Sequence, residues 1–402
     1  MVALLAATVL VAGAATPCKK MSKLIERGLD FCLKQEMLMY DAVKDQPEAL
    51  VNTARGGKLE TCSSSSWMSG FFPGTLWYLY EYSSDPEVLA AAEEMTSRMA
   101  PEQYNTSNHD VGFMIGSSYG QGYRLTGRED YRKVLLTAAE SLSTRFNPQV
   151  GCTRSWGSRP SAGWDFVVII DNMMNLELLT KASALGGDLK YIDIARTHAN
   201  TTMRNHFRND FSTWHVLNYD EATGEIISRQ TEQGWRDDST WARGQAWGLY
   251  GFTMMYRQTG DEAYLQRAID MGKYLLDQPN MPSDKVPYWD YDVPVDKATP
   301  RDASAAAIMA SAFIELSTFV VDETLSARFL KMAEAQLKSL SSKKYRAALG
   351  QNANFAIMHC TANNPKQDFD TPLVYADYYY IEALMRYRRL LAGETVVDPC
   401  LR

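Results

Sequence analysis

One helical-hairpin unit recurs along the chain, and this repetition limits the folds open to it more than any other feature. In each unit a helix rich in small and aromatic residues runs into a short polar turn, often Thr-Gly or Gly-Asp. A second, more amphipathic helix follows. The full units read GFFPGTLWYLYEYSSDPEVLAAAEEMTSRM, GFMIGSSYGQGYRLTGREDYRKVLLTAAESLSTRF, MMNLELLTKASALGGDLKYIDIARTHANTTMRNHF, ARGQAWGLYGFTMMYRQTGDEAYLQRAIDMGKYLLDQ and ASAAAIMASAFIELSTFVVDETLSARFLKMAEAQLKSL. Near the start, MSKLIERGLDFCLKQEML is a helix with no partner before it. Near the end, ADYYYIEALMRYRRLLA is an inner-type helix with no partner after it. Pairing the two orphans supplies a sixth hairpin and closes a ring. The first helix of each unit is apolar or small nearly all round, as buried helices are. The second carries one apolar stripe, such as Tyr264, Ala268, Met271 and Leu275. The sequence thus predicts an all-α fold, an (α/α)6 barrel of six hairpins closed into a toroid. An open superhelix of stacked hairpins would leave both ends unpaired.

The ring accounts for residues 18–402 as a single domain, although 402 residues would suggest two or three by length alone. The first 17 residues, apolar and small, read as a signal peptide, so a secreted or periplasmic protein is expected. That run is shorter than the roughly 20 residues a membrane span needs. Net charge is −7, which argues against nucleic acid as a partner, because phosphate binding wants a basic surface. Arginines in a pocket still hold an anionic small substrate against such a background. The six cysteines form no CxxC pair and no HExxH occurs, so no metal is expected. Most of the thiols read as free and buried. Ring closure brings Cys18 and Cys400 to neighbouring ends, which makes a disulfide between them conceivable.

The connections before the inner helices are long and those within hairpins are short, so one mouth of the ring should carry the chemistry. Trp67 precedes the first inner helix and His109-Asp110 the second. Asp171 and Asn172 open the third. Arg243, Gln245 and Trp247 stand at the fourth, and Arg301-Asp302 before the fifth. Indole faces stack on sugar rings, guanidinium forks bind carboxylates, and paired carboxyls do acid–base work. Asp171 follows the apolar run DFVVII, where desolvation would raise its pKa. Other roles are open for these groups. An aspartate at a helix start is often a plain N-cap. Arg301-Asp302 could be an ion pair, and Asp237-Asp238 could be caps or ligands for Arg243. His198 and His206 read as structural, whereas His215 lies in a connection at the mouth.

The blocks SWMSGFFPGTLWYLYE, HDVGFM, IIDNMMNLELL, STWHVLNYD, DDSTWARGQAWGLYGF, VPYWDYDVP, PRDASAAAIMASAF and YADYYYIEAL resemble, in this order, the unsaturated glucuronyl hydrolases of glycoside hydrolase family 88. The likeness runs from about residue 20 to 392. It implies cofactor-free hydrolysis of oligosaccharides that carry a 4,5-unsaturated uronate at the non-reducing end. It also implies Asp171 as acid/base and Asp110 as its partner in placing substrate and stabilising charge. Trp67, Trp156, His215, Gln233, Arg243 and Trp247 are implied as substrate contacts. The stretch 346–366, RAALGQNANFAIMHCTANNPK, departs from the common pattern and leaves sulfation preference open. A monomer or weak homodimer is expected. Unsaturated rhamnogalacturonyl hydrolases share ring and chemistry, but the HDVGF and WARGQAW blocks favour the glucuronyl family. A sugar epimerase on such a ring would need histidines for proton transfer, and the chain has five in all. A non-catalytic sugar binder would have no need of the aspartates.

Overall fold

The structure, a computed structural model, describes residues 16–397. Almost all of the predicted signal peptide lies outside this range, as does Cys400 and with it the Cys18–Cys400 pairing. Among the described residues Cys32, Cys62, Cys152 and Cys360 are free thiols. The helices are α1 (Ser22–Val43), α2 (Phe71–Ser83), α3 (Pro86–Ser97), α4 (Tyr119–Thr126), α5 (Glu129–Ser143), α6 (Asn172–Ala184), α7 (Lys190–Asn205), α8 (Ala242–Thr259), α9 (Glu262–Leu276), α10 (Ala303–Phe319), α11 (Glu323–Leu340) and α12 (Val374–Ala392). The even-numbered helices form the inner ring. Successive inner helices pack on one another, the turn just before α4 making the contact with α6. Helix α12 packs on both α2 and α1, so the two orphan helices close the ring as the repeat requires.

The turn chemistry explains why the hairpins fold back. Inner helices α4, α8 and α12 end at Gly127, Gly260 and Gly393, with φ of 64°, 66° and 73°. That left-handed conformation costs glycine little. The outer helices α3, α9 and α11 then start at Asp85, Asp261 and Asp322, whose carboxylates accept backbone N–H groups of the first turn.

The inner ring is less apolar than the pattern suggests. Arg257 on α8 donates to Glu315 on α10 at 2.6 Å and to Glu177 on α6 at 3.1 Å. Arg386 on α12 donates to the same Glu315 at 2.9 Å. Four inner helices are thus tied by buried ion pairs. One participant without its partners would be an uncompensated charge in the core, so the ladder favours this order of neighbours.

Two departures from the sequence reading shape the mouth. The second inner helix is not continuous. Gly112–Gly116 forms a π-helical turn, and α4 starts only after it. Space forces the break. A Cβ on Gly70 would stand 2.2 Å from the Met114 carbonyl oxygen, and one on Gly112 would stand 2.6 Å from Asn175 Cα. The backbone is wedged between α2 and α6, and Phe113 N–H donates to Asn175 Oδ1 at 2.8 Å. Gly70→Ala should therefore cost at least the roughly 1–3 kcal/mol typical of overpacking, because backbone rather than a side-chain tip must yield. Urea unfolding of the variant measures this.

The second departure lies in the connections, which fold into antiparallel strands. These are β1 (Leu50–Arg55) with β2 (Lys58–Cys62), β3 (Phe146–Asn147) with β4 (Cys152–Thr153), the sheet β5 (Phe166–Ile169)–β6 (Val216–Tyr219)–β7 (Ile226–Gln230), and β8 (Cys360–Asn363) with β9 (Asp368–Thr371). The run DFVVII contains β5. Phe166 and Val168 face one apolar cluster, with Cys152, Leu217 and Tyr219. Val167 and Ile169 face another, with Trp164 and Val216. Burial on both faces removes the polar alternation that would have marked a strand.

Candidate active site

Strand β5 delivers Asp171 to the start of the third inner helix. The residue occupies the N-cap position of α6, yet its side chain caps nothing. Asp302, in the same place on α10, accepts from Ser304 and Ala305 N–H. Asp171 is 9% exposed, and its buried Oδ2 has no hydrogen-bond partner. A buried acceptor left unpaired is costly, which points to use rather than packing. Burial pushes the Asp171 pKa up to about 7, against the lowering influence of the Arg243 charge, a backbone N–H and the Trp247 indole. The group therefore exchanges its proton near neutrality.

His215, at the entrance to β6, faces this carboxyl with Nε2 at 3.9 Å from Oδ2. Glu232 N–H donates to His215 Nδ1 at 3.2 Å. Nδ1 is thus an acceptor, and the neutral ring carries its proton on Nε2, toward Asp171. The imidazole lies on the Trp241 ring, with centroids 4.3 Å apart. Burial, with the Arg243 charge second, lowers its pKa to about 3, so it stays neutral.

Asp110 enters from the preceding hairpin, just before the π turn. Its Oδ1 lies 3.3 Å from His109 Nε2. The His109 pKa is likewise lowered to about 3, by burial and then by the Arg145 charge. Burial first, and the charge of Asp171 second, raise the Asp110 pKa to about 8, while Arg145 opposes both. The Asp171 charge thus reaches Asp110 across the site. Ser155 links the two halves, because its carbonyl accepts His109 N–H at 3.1 Å and its hydroxyl accepts Ile169 N–H at 3.0 Å.

The remaining predicted contacts fall into two groups. Trp67 is half-buried among Phe71, Phe113 and Tyr375, its ring centroid 5.0 Å from that of Tyr375. Trp156 directly follows Ser155 and is half-buried, stacked on Trp164 at 5.4 Å. Gln233 is half-buried, and its Oε1 accepts from Arg243 Nη2 at 3.1 Å. These three retain surface at the mouth. Arg243 and Trp247 do not. Arg243 is 1% exposed, and its Nη1 donates to Asp302 at 2.7 Å and to the Thr361 carbonyl. Its Nη2 donates to the Ala362 carbonyl and to Gln233. The expected free fork is thus the counter-charge of Asp302 and an electrostatic neighbour of Asp171. Trp247 is fully buried against Phe113 and Tyr379, so it presents no open stacking face.

The other pairings considered also resolve differently. Arg301 pairs with Asp284 at 3.0 Å, not with Asp302. Asp237 accepts Thr231 N–H, and Asp238 pairs with Arg236. His198 accepts Thr153 N–H and His206 contacts the Val168 carbonyl, both structural as expected.

Sequence reasoning missed three site neighbours. Trp241 lies under both His215 and the Arg243 guanidinium, the latter 4.5 Å from its ring centroid. Its place before an inner helix, like that of Trp67, was the available signal. Tyr375 bridges Trp67 to Arg243 and stands in the YADYYY block. Arg145, at the end of an outer helix, carried no signal. Among the described residues no grouping of His, Cys, Asp and Glu is suited to a metal ion, and no helix is long and apolar enough to cross a membrane.

The profile of Glycosyl Hydrolase Family 88 matches residues 41–390. An unsaturated glucuronyl hydrolase of Formosa agariphila is 44% identical over 330 residues, 82% of this chain and 81% of that protein. An unsaturated chondroitin disaccharide hydrolase of Streptococcus pyogenes serotype M1 is 30% identical over 372 residues, 90% of this chain and 91% of its own. The crystal structure of an unsaturated glucuronyl hydrolase specific for heparin superposes with a TM-score of 0.88 at 41% identity, covering 94% of this chain and 99% of that one.

Proposed function

Because the chain belongs to glycosyl hydrolase family 88, we infer that it is an unsaturated glucuronyl hydrolase. It removes the 4,5-unsaturated uronic acid from the non-reducing end of oligosaccharides that polysaccharide lyases release. The observation that carries this reading is the Asp171 carboxyl, buried, free of any cap and poised to exchange a proton near pH 7.

The chemistry is hydration of a vinyl ether. Protonated Asp171 gives its proton to C4, and positive charge develops across C5 and the ring oxygen. The resulting Asp171 carboxylate stabilises that cation and takes a proton from the water that attacks C5. The C5 hemiketal opens to a ketone, breaking its bond to the ring oxygen. C1 then becomes an open hemiacetal that collapses to an aldehyde and frees the next sugar. Attack falls on C5 and not on the anomeric carbon, so the two-carboxylate spacing rules of ordinary glycosidases do not apply. Asp110, which holds its proton to about pH 8, donates a hydrogen bond while Asp171 cycles. His109 and His215, both held neutral by burial, have no proton to give as imidazolium near pH 7 and are weak bases, which weighs against epimerisation.

Relatives named for chondroitin and heparin products support glycosaminoglycan fragments as the substrate class. The test is the ultraviolet band of the conjugated double bond. Incubation with unsaturated chondroitin, heparin and rhamnogalacturonan disaccharides should bleach it for the first two. A band that persists with all three would refute the reading. The same assay gives the pH dependence. Asp171 must start protonated, so kcat should fall toward tenfold for each pH step of one once the pH passes about 7. A rate flat to about pH 9 would move the acid role elsewhere.

A further inference from the structure

The loop between Ser155 and β5 contains a device that the proposed reaction has not used. Trp156 and Trp164 stack with their centroids 5.4 Å apart and their planes 28° from parallel. Arg159 lies over both, its guanidinium carbon 5.6 Å from the Trp156 centroid and 5.1 Å from that of Trp164. The Trp164 half of the pair is packed in place. Trp164 is 6% exposed, packs with Val167, Ile169 and Val216, and donates its indole N–H to Gln230. Arg159 and Trp164 exchange backbone hydrogen bonds, both at 3.0 Å, across a tight loop. The loop is anchored to the catalytic pair at one end by Ser155, which binds His109 and Ile169, and at the other by β5, which leads to Asp171.

Within this connection, the Arg159 guanidinium makes no hydrogen bond or ion pair among the described residues. Arg154, in the same connection, pairs with Glu221, and Arg145 donates through Nε and Nη1 to the carbonyls of Arg154 and Thr106. Arg159 is exposed, so its donors face solvent while its guanidinium rests against the two indoles. An unspent guanidinium beside an aromatic pair is suited to an oxyanion on a sugar that lies against that pair.

We propose that Arg159 is a specificity-determining residue that binds an oxyanion carried beyond the scissile linkage. The proposal rests on the hydrolase reading above. Two substituents of lyase products share this chemistry. One is a sulfate ester on the leaving amino sugar, and the other is the carboxylate of the next uronate in a longer chain. Either would gain a charge-assisted contact that a neutral leaving sugar lacks.

The experiment compares the full-length protein with its Arg159→Gln and Arg159→Lys variants. Substrates are an unsulfated unsaturated chondroitin disaccharide, its sulfated counterparts and an unsulfated tetrasaccharide. The quantity read is the ratio of kcat/KM for each anionic substrate to that for the unsulfated disaccharide. Arg159→Gln should lower that ratio about tenfold, chiefly through KM, and Arg159→Lys should restore part of it. A fall confined to the sulfated disaccharides assigns the site to sulfate. A fall confined to the tetrasaccharide assigns it to the carboxylate. Ratios unchanged in Arg159→Gln, whether or not the rates themselves drop, would overturn the proposal. If the wild-type protein bleached none of these substrates, the hydrolase reading would be at fault instead. Calorimetric affinities of the same ligands for wild type and Arg159→Gln would then decide the anion site by themselves.

Discussion

Asp171→Asn should abolish turnover while substrate still binds. An amide at this position cannot deliver a proton to carbon, nor accept one from water, so both halves of the hydration lose their agent. Loss of a positioned acid/base costs roughly 10²–10⁴ in rate, and here one group serves twice, so the upper end is expected. Affinity for an unsaturated disaccharide should change little, because the amide keeps the size of the protonated acid. Near-normal bleaching by the variant would remove Asp171 from the mechanism.

The same variant should be more stable than wild type in alkali. The folded pKa of Asp171 lies at about 7, above the ordinary carboxyl value near 3.9. For a raised carboxyl the stabilising contribution is full below about pH 4 and is lost as pH climbs through 7. The loss saturates at roughly 4 kcal/mol, because a tenfold change in proton affinity corresponds to about 1.4 kcal/mol. Asparagine never ionises and avoids that loss. Urea unfolding should give nearly equal stabilities at about pH 4 and a gap of a few kcal/mol, in favour of Asp171→Asn, at about pH 8.5. An equal gap at both values would mean that the carboxyl does not titrate in this window.

The second large effect is expected at Arg243. Its removal leaves Asp302 fully buried with no cation, and it unties the carbonyls of Thr361 and Ala362. Breaking a buried pair from one side typically costs about 3–5 kcal/mol. Arg243→Met should therefore lose that much stability, beyond any effect on KM. The β8–β9 hairpin should loosen as well, which faster hydrogen exchange at residues 360–371 would reveal. Unchanged unfolding with a raised KM would restore Arg243 to the role of a free carboxylate fork.

The contrast between Arg243 and Asp171 shows what could be read from sequence and what could not. The repeat fixes which helices are inner and outer, because burial writes itself into composition at every turn. It also places each connection at a mouth, since inner helices all start at the same end. Thus Asp110, Asp171 and His215 were legible as neighbours despite their separation along the chain. What a side chain does there depends on which partner captures it first. Arg243 and Arg159 look alike in sequence, yet one is consumed by Asp302 and two carbonyls while the other is held by indole faces alone. Asp302 and Asp171 likewise both precede an inner helix, and only the first caps it. The π turn was hidden for a different reason. It arises from close approach of α2 and α6 at Gly70 and Gly112, and a contact between distant segments leaves no periodic trace.

The seam where α12 meets α1 and α2 has a kinetic consequence. Helix α12, which completes the ring, covers the inner flanks of both α2 and α10. Until it docks, a growing stack of hairpins carries two raw apolar edges, and the contact that seals them spans nearly the whole polypeptide. Docking at such sequence separation bears a large loop-closure entropy and comes late. Sealing the ring thus waits on α12, and a form that lacks this helix would depend on chaperones to keep its open edges apart.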